Sequence, residues 1–505
     1  MSTEIELKYL VLDVNVVEKI EQLFRDENMQ YSYQETSLLN RYFDTADLNL
    51  RQHDMGLRVR KNKQHIEQTL KTAGQVVGGL HARPEYNVDI STLAPDLSLF
   101  PASVWQADQN IADIQKHLIT LFSTDFTRCT WLLSDDNNNI IELAYDQGQI
   151  SRAGQSTPIN EIELELVKGD KSALFALASL LFQRLQMRPG IKSKAARGYA
   201  LLQSRHANAT PVVANYVCQQ DSGSIASAFT LGLNRTLAQL QDSVEVYLQT
   251  KNLRQLADIK ANLALMRHGF WLFEQHLTAN ELTLRDELSH FVHLLAWVDN
   301  ALHLQELTNK TGNYRKKLDY SKQLIKQLKI EERRFPSPDD ISQLLHSSRF
   351  NQLQLAILKL YLCRTESQQQ ADKVLSAELM NFAQQKIQSS LSEMSSEMNS
   401  VEQLTSQQYI AQSKPLYRSS LTGAWLAGLF DNELRDKFRR PWLDLQQGIS
   451  ELQSLWIIQQ QLAKLNQAPA RLVQWQQTKM EGLLIALNNS KAIAVTMAPY
   501  WLEEQ

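Results

Sequence analysis

The stretch "STEIELK" (residues 2–8) alternates charged and apolar side chains near the start of the chain. Successive side chains of a β-strand point to opposite faces, so Glu4, Glu6 and Lys8 would share one face, while the apolar residues share the other. Taken alone, such a strand fits a half-buried sheet with one solvated face. The stretch therefore predicts an N-terminal strand, and its partner strands decide what the charged face is for.

The same alternation recurs along the first 200 residues. Five more segments place Arg, Lys, Asp or Glu on one face and apolar residues on the other: "GLRVRKN" (56–62), "HIEQTLK" (65–71), "RPEYNVDI" (83–90), "IIELAYD" (140–146) and "EIELELV" (161–167). An ordinary solvated face would carry more Ser, Thr and Gln. We therefore expect the sheet to close into a barrel, with the apolar faces under outer helices and the ionic faces lining a tunnel that leaves no sheet edge exposed.

The ionic faces point to a phosphate compound and a metal. Cations crowded in a poorly solvated tunnel repel one another unless an anion lies between them. Arginine suits phosphate because its planar guanidinium makes paired hydrogen bonds. Carboxylates are hard oxygen ligands of the kind that Mg²⁺ or Mn²⁺ prefers. A polyphosphate bridged to acids by a divalent metal satisfies both sets, and phosphoryl transfer needs mainly positioning and charge stabilisation from the protein.

Composition narrows the class of protein. The 505 residues favour two or three domains, and a net charge of −3 argues against a general nucleic-acid binder. Three cysteines lie far apart without metal spacing, which is typical of a reducing compartment. Neither a signal peptide nor an apolar run of about 20 residues is recognisable. We expect a cytoplasmic protein without a membrane span and without a specific nucleic-acid partner.

The periodicity changes near residue 222. The first half is α+β, with helical spacing at residues 14–28 and 171–186, whereas the second half steps by three and four residues, as amphipathic helices in bundles do. Breaks are expected at "FPSPDD" (335–340) and at "KPLY" (414–417). We predict one domain at residues 1–205, a linker at 206–222 and an all-α helical-bundle domain at 223–505.

Several short motifs follow one another along the first 200 residues in the order found in a known family. After the "EIELK" opening come "NRYFDT", "GLRVR", "EQTLK", "HARPEY", "FTRCTW", "IELAYDQGQI", "EIELEL" and "KSKAARGY". The first 200 residues thus resemble the CYTH superfamily of triphosphate tunnel metalloenzymes, in particular bacterial inorganic triphosphatases that join CYTH to a C-terminal CHAD domain. The helical half, with "FRRPWLDLQQGISELQ", resembles CHAD. The resemblance implies an eight-stranded antiparallel tunnel that hydrolyses tripolyphosphate to pyrophosphate and phosphate with Mg²⁺ or Mn²⁺.

The resemblance also implies roles for individual residues. Metal would be held by Glu4 and Glu6 together with two of the three acids Glu161, Glu163 and Glu165. Phosphate oxygens would be bound by basic residues from several segments, namely Lys8, Arg41, Arg58, Arg60, Lys71, Arg83, Arg128, Lys192, Lys194 and Arg197. Water or a second metal would be positioned by Asp146, Glu142 or Glu67. Of the basic residues in "KSKAARGY", which could close one tunnel end, Lys194 is preferred.

Some of these residues have simpler interpretations. Asp146 could shape a hairpin turn, and Glu85 could be an internal ion-pair partner of Arg83. His53, His65 and His81 show no metal spacing in the sequence and are interpreted as surface or turn residues. The chain has neither a GxxxxGK[ST] phosphate loop nor a convincing nucleophile triad.

Other functions remain open from the sequence. An adenylate cyclase, a thiamine or nucleoside triphosphatase, or a polyphosphate-binding protein without turnover would use similar strands. The acids at both ends of the barrel count against the last, because an anion binder gains nothing from carboxylates beside its ligand. The helical half has few basic residues in its first helices, so long-chain polyphosphate, or a protein associated with it, is only a candidate partner there.

Overall fold

The computed structural model describes residues 2–61, 65–202, 216–219, 222–367, 376–399 and 403–502, except for the side chains of residues 2–4, 75, 397 and 399. The chain divides into two compact units, Met1–Pro211 with Gln343–Lys359 and Val212–Ser342 with Leu360–Gln505. The predicted linker, residues 206–222, lies largely outside the described residues. The boundaries 1–205 and 223–505 therefore stay predictions.

The first unit contains a closed antiparallel barrel. Its sheet comprises ten strands: β1 (Ser2–Val11), β2 (Gln30–Asp44), β3 (Gly56–Lys61), β4 (Ile66–Lys71), β5 (Gln75–Val77), β6 (Leu80–Asp89), β7 (Ile119–Ser134), β8 (Ile140–Arg152), β9 (Gln155–Lys168) and β10 (Met187–Pro189). Eight of them close a ring in the order β1-β9-β8-β7-β2-β3-β4-β6, because β6 also pairs with β1. The eight-stranded antiparallel barrel is thus confirmed.

The register of the strands explains why the charges gather inside. Opposite residues in an antiparallel pair point to the same face. Lys8 of β1 lies opposite Glu163 of β9, and Glu6 lies opposite Glu165. Asp146 of β8 lies opposite Glu161. Alternation along three adjacent strands therefore brings their charged residues onto one continuous inner surface.

Helices cover much of the outer, apolar face of the barrel. Residues 1–211 of the first unit include the helices α1 (Val16–Asp26), α2 (Asn49–Gln52), α3 (Ile111–His117), α4 (Ser172–Arg184) and α5 (Lys194–Ala200). Helix α1 buries Val16, Ile20, Leu23 and Phe24, which lie on one helical face. The ring of Tyr9 in β1 packs edge-on against Phe182 of α4, with ring centroids 5.2 Å apart. The two helices predicted at residues 14–28 and 171–186 are confirmed within two residues.

Helix α5 approaches the barrel unusually closely. A Cβ atom at Gly198 would lie 2.1 Å from Cε2 of Phe122 in β7, so only glycine fits between helix and strand. Ser193 caps the helix by accepting a hydrogen bond from the backbone N–H of Ala196. The hydroxyl of Tyr199 donates to the buried carboxylate of Asp44, at 3.0 Å. These contacts fix the direction of Lys194 at the first helical turn.

The rest of the chain is helical, as its periodicity predicts. The helices are α6 (Ile225–Thr250), α7 (Leu253–Leu272), α8 (Ala279–Leu294), α9 (Val298–Thr308), α10 (Arg315–Leu318), α11 (Lys322–Glu332), α12 (Pro338–Leu345), α13 (Ser348–Ser367), α14 (Ala377–Asn399), α15 (Ser406–Leu426), α16 (Asn432–Ala463) and α17 (Ala470–Thr496). Consecutive helices pack together, as in α6 with α7 and α16 with α17. Among the described residues, no helix combines the length and apolarity needed to cross a bilayer.

The predicted breaks in the helical half have different outcomes. The break at 335–340 is confirmed, because α11 ends at Glu332 and α12 begins at Pro338. The break at 414–417 is wrong, because α15 runs through Pro415. Proline removes one helical N–H donor, but neighbouring turns can sustain the helix around it. Residues 385–399 of the Ser/Gln-rich segment 385–408 belong to the helix α14, and residues 400–402 lie outside the described residues.

Acid should destabilise the helical half through His268. This side chain of α7 is 4% exposed, shares a hydrogen bond with Thr422 Oγ1 and packs at a tilt against Trp271, with ring centroids 5.0 Å apart. Burial, assisted by Arg267 and Arg418, lowers the pKa of His268 to about 3. Below about pH 6.5 this histidine takes up a proton in the unfolded state but not in the folded state. The free energy of unfolding therefore has its full value above that pH and decreases as the pH falls. Between pH 7 and pH 5 the expected loss is about 2 kcal/mol.

Urea unfolding followed by circular dichroism at several pH values measures this effect. His268→Gln should flatten the decline between pH 6.5 and pH 5, because Gln keeps a hydrogen-bonding group without titrating. His293 of α8 is exposed, so His293→Gln serves as the matched control and should decline with the parent slope. Equal slopes in all three proteins would contradict the assignment to His268.

Candidate active site

The interior of the barrel holds a charged cavity of about 380 Å³. Its walls include aromatic residues such as Tyr42 and Phe126, but most lining residues are ionic. Twelve residues predicted from the sequence line it: Glu6, Lys8, Arg58, Arg60, Glu67, Lys71, Arg83, Arg128, Glu142, Glu163, Glu165 and Lys194. Ten of these twelve lie on strands whose alternation is visible in the sequence, whereas Arg128 and Lys194 were indicated by motifs.

Three carboxylates cluster beside this cavity, and one of them, Glu163, lines it. One ligand oxygen each from Asp146, Glu161 and Glu163 lies within 4.8 Å of the others. The side chains of Asp146 and Glu161 are fully buried. Carboxylates crowded in this way repel one another unless cations share the space. The surrounding elements supply those cations.

Lys194, from the first turn of α5, contacts all three carboxylates. Its Nζ lies 2.6 Å from Asp146 Oδ2 and 2.9 Å from Glu163 Oε1, and it also pairs with Glu161. Burial alone would lower the pKa of Lys194, but the three acids outweigh burial and raise it. The lysine therefore stays charged and ties α5 to strands β8 and β9.

Arg128 and Lys8 complete this network. Arg128 makes two hydrogen bonds of 2.7 Å to the carboxylate of Asp146 and one of 2.6 Å to Glu163. Lys8 Nζ lies 2.7 Å from Glu163 Oε1. Although burial opposes ionisation, Lys194 and Arg128 hold the pKa of both Asp146 and Glu163 below the usual range, with Lys8 adding to the effect on Glu163. Both carboxylates are ionised at neutral pH.

The acids that face the cavity fit a hard divalent cation. Glu6, Glu163 and Glu165 all line it, whereas Glu161 lies behind them and pairs with Arg197 at 2.7 Å. Glu6 and Glu165 are directly opposite one another on β1 and β9. Carboxylate oxygens of this kind are the ligands that Mg²⁺ and Mn²⁺ favour. The donor set is consistent with such an ion at this side of the cavity.

The other side of the cavity is cationic. Arg58 and Lys71 each lie 3.1 Å from Glu85, and Arg60 donates to Asn40 Oδ1 at 3.0 Å. Burial, then Arg58 and Arg128, lowers the pKa of Arg60 to about 9, so its guanidinium is still protonated at neutral pH. No acceptor among the described residues hydrogen-bonds the buried Nε of Arg83. Crowded cations and an unsatisfied donor are the features of an anion site.

Some predicted site residues lie elsewhere. The placement of Arg41 in the phosphate site is wrong: it lies opposite Val59, whose side chain belongs to the outer core, and it is exposed. Lys192 precedes α5, is exposed and does not line the cavity, so its role at the tunnel end stays a prediction. The backbone of Glu4 pairs with Arg83, but its side chain lies outside the described residues.

The positions of Asp146 and His81 in their strands differ from what the sequence suggested. Asp146 lies in the middle of β8, so the turn interpretation is wrong. His81 was expected at the surface, yet it is 4% exposed, lines the cavity, and has Nε2 3.0 Å from the carbonyl of Gly190. Burial and then Lys8 lower the pKa of His81, which keeps its ring neutral. His81, Arg83 and Glu85 share one face of β6, so strand parity could have identified it.

Residues 2–199 match the CYTH domain family. A curated relative is an inorganic triphosphatase from Haemophilus influenzae, 35% identical over 201 residues that make up 40% of this chain and 55% of the relative. The match thus spans about half the length of that relative.

Two solved structures are each similar to a part of the chain. A protein from Hippeastrum, named an adenylyl cyclase and reported to have a dominant triphosphatase activity, has 17% identity and a TM-score of 0.31, covering 40% of this chain and 98% of that protein. The CHAD domain from Ricinus communis has 15% identity and a TM-score of 0.40, covering 56% of this chain and 97% of that domain. Over residues 2–199, which contain the barrel, the chain matches the CYTH domain family and is similar to the inorganic triphosphatase from Haemophilus influenzae.

Proposed function

We propose that the barrel hydrolyses inorganic tripolyphosphate to pyrophosphate and phosphate, with Mg²⁺ or Mn²⁺ as cofactor. The observation that supports this function is the division of one enclosed cavity into a carboxylate side and a cationic side. A linear triphosphate with a bound divalent ion presents matching surfaces to both. The inorganic triphosphatase from Haemophilus influenzae, which is similar over the barrel, supports the same reaction.

The roles follow from the positions of the side chains. Arg58, Arg60, Lys71 and Arg83 would bind phosphate oxygens and neutralise the charge that develops as the phosphorus–oxygen bond breaks. Glu6, Glu163 and Glu165 would hold the divalent ion, which when bound supplies charge neutralisation and lowers the pKa of an attached water. Arg128 and Lys194, which also line the cavity, pair with Glu163 and would hold that acid in place.

Water must reach the terminal phosphorus and lose a proton. Glu142 and Glu67 both line the cavity, so either carboxylate can accept a hydrogen bond from such a water and take its proton. Asp146 is enclosed between Arg128 and Lys194, and we assign it the positioning of these two cations instead of water. The leaving group is pyrophosphate, which departs with the charge that the cationic side has neutralised.

A phosphate-release screen tests the proposal. Tripolyphosphate, ATP, thiamine triphosphate and long-chain polyphosphate are each assayed with Mg²⁺, Mn²⁺ or a chelator. We expect preference for tripolyphosphate, equimolar pyrophosphate and phosphate as products, and loss of turnover with chelator. Cyclic AMP from ATP, preference for a thiamine or nucleoside triphosphate, or binding of polyphosphate without turnover would each overturn the assignment.

Polyphosphate binding is not proposed for the helical unit. A cavity of about 1550 Å³ in this unit is lined by charges of both signs. Its basic residues are Arg254, Lys317 and Lys479, and its acidic residues are Asp258, Asp299, Glu306 and Glu451. Because polyanion binding depends on a surplus of positive charge, this lining does not favour long-chain polyphosphate. Binding of long-chain polyphosphate to the full chain, measured alongside the phosphate-release screen, tests this expectation.

A further inference from the structure

A second group of metal-ligating side chains lies where β4 begins and β6 ends. One ligand atom each from His65, Glu67 and Asp89 lies within 4.8 Å of the others. His65 directly precedes β4, Glu67 is its second residue, and Asp89 is the last residue of β6. Glu67 and Asp89 are directly opposite one another across the two strands. None of these atoms belongs to the acidic cluster of Asp146, Glu161 and Glu163.

The distances suit coordination. His65 Nε2 lies 2.9 Å from Asp89 Oδ1. Metal–ligand bonds of about 2.1 Å place adjacent ligand atoms of an octahedral ion about 3.0 Å apart. The histidine nitrogen and the aspartate oxygen therefore already have the separation that two neighbouring ligands require. Both side chains are solvent-accessible, so they can adjust to an arriving ion.

The placement of Glu67 against Asp89 is a separate indication of a cation. Like charges directly opposite one another on adjacent strands destabilise a sheet. Arg60 lies opposite Glu67 on the other side, in β3, and offsets part of its charge, while its Nε donates to Asn40. A divalent ion between Glu67 and Asp89 would convert the repulsion into attraction.

We propose that His65, Glu67 and Asp89 bind a divalent transition metal such as Mn²⁺, Co²⁺ or Zn²⁺ at the wall of the tunnel. Imidazole nitrogen favours these ions over Mg²⁺, which prefers a set of oxygen ligands and water. Glu67 also lines the cavity, so the ion would add positive charge beside the triphosphate. This contribution to substrate binding rests on the proposed function, whereas metal binding itself does not.

Nuclear magnetic resonance of the full chain labelled with ¹⁵N-histidine tests the site without substrate. The His65 signal is assigned by its absence from His65→Gln. Titration with Mn²⁺ should broaden the His65 signal first, before those of the other exposed histidines. Asp89→Asn keeps the imidazole but removes a ligand, so the Mn²⁺ concentration needed for broadening should rise about 10–100-fold. Equimolar Mg²⁺ should leave the broadening in place.

His117 provides the matched control. Its Nδ1 lies 3.4 Å from Asp113 Oδ1, and both side chains are exposed, so they form a surface histidine–aspartate pair for which no third ligand is proposed. The proposal is overturned if His117 and His65 broaden in parallel, if Asp89→Asn responds as the parent does, or if equimolar Mg²⁺ abolishes the effect. Glu6→Gln should keep the His65 response while it abolishes hydrolysis. Failure of this site and failure of the proposed reaction are thereby distinguished.

Discussion

Glu163→Gln should lower kcat/KM for tripolyphosphate about 1000-fold, a loss of about 4 kcal/mol of transition-state stabilisation. Glu163 lines the cavity and contacts Lys8, Lys194 and Arg128. Glutamine has nearly the same shape but lacks the charge. The substitution therefore removes a proposed metal ligand and leaves three cations with one acid fewer.

The dependence on metal concentration separates this explanation from simple misfolding. The activity of Glu163→Gln should saturate at higher Mg²⁺ than the parent, while circular dichroism at neutral pH remains unchanged. Glu35 is exposed on β2, so Glu35→Gln should keep parental kinetics and serves as the matched control. Retention of more than about one-tenth of the parental kcat/KM would count against metal binding at this position.

The sequence predicted the inner face of the barrel well because strand parity is a local property. The six alternating segments correspond to β1, β3, β4, β6, β8 and β9. The strands β2 and β7 lack strict alternation and were recognised only as motifs. The first residues of β2 are exposed on both faces, so burial imposes no period of two there.

Applying parity to β2 would also have prevented the error at Arg41. Asn40 and Tyr42 face inward, as their contacts with Thr124 and the cavity show, so the residue between them must face outward. The motif suggested a basic ligand, but it did not specify a face. Lys194 and the pair His65–Asp89 depend on contacts between elements distant in the sequence. Such contacts are set by register and helix docking, which periodicity alone does not determine.

Arg128→Met should destabilise the barrel by about 3–5 kcal/mol, because it leaves buried carboxylates without one of their cations. The arginine makes a bidentate pair with Asp146, whose side chain is fully buried, and a further bond to Glu163. Removing one partner of a buried ion pair costs more than the pair itself contributes. Urea unfolding at pH 7.5, followed by circular dichroism, measures the loss.

A double substitution tests whether the unpaired carboxylate is the cause. Arg128→Met combined with Asp146→Asn removes the stranded charge, so it should recover part of the lost stability; a coupling energy between the two sites is expected because they are in contact. Arg25, on the exposed face of α1, pairs with Glu21 at 3.9 Å, and Arg25→Met should leave the unfolding midpoint nearly unchanged. Additive effects of the two substitutions at the buried pair would contradict the explanation.

The loss of Arg128 should also shift the pH at which acid unfolds the protein, and the direction of this shift is predictable. In the parent, Lys194 and Arg128 hold the pKa of Asp146 below its usual value against the opposing effect of burial. Stability from such a carboxylate is present above its unfolded pKa of about 3.9 and is lost as the pH falls through the folded value. Without Arg128, burial is less strongly opposed and the folded pKa rises. Acid unfolding of Arg128→Met should therefore begin at a higher pH than in the parent, and an unchanged acid midpoint would show that Lys194 alone keeps Asp146 ionised.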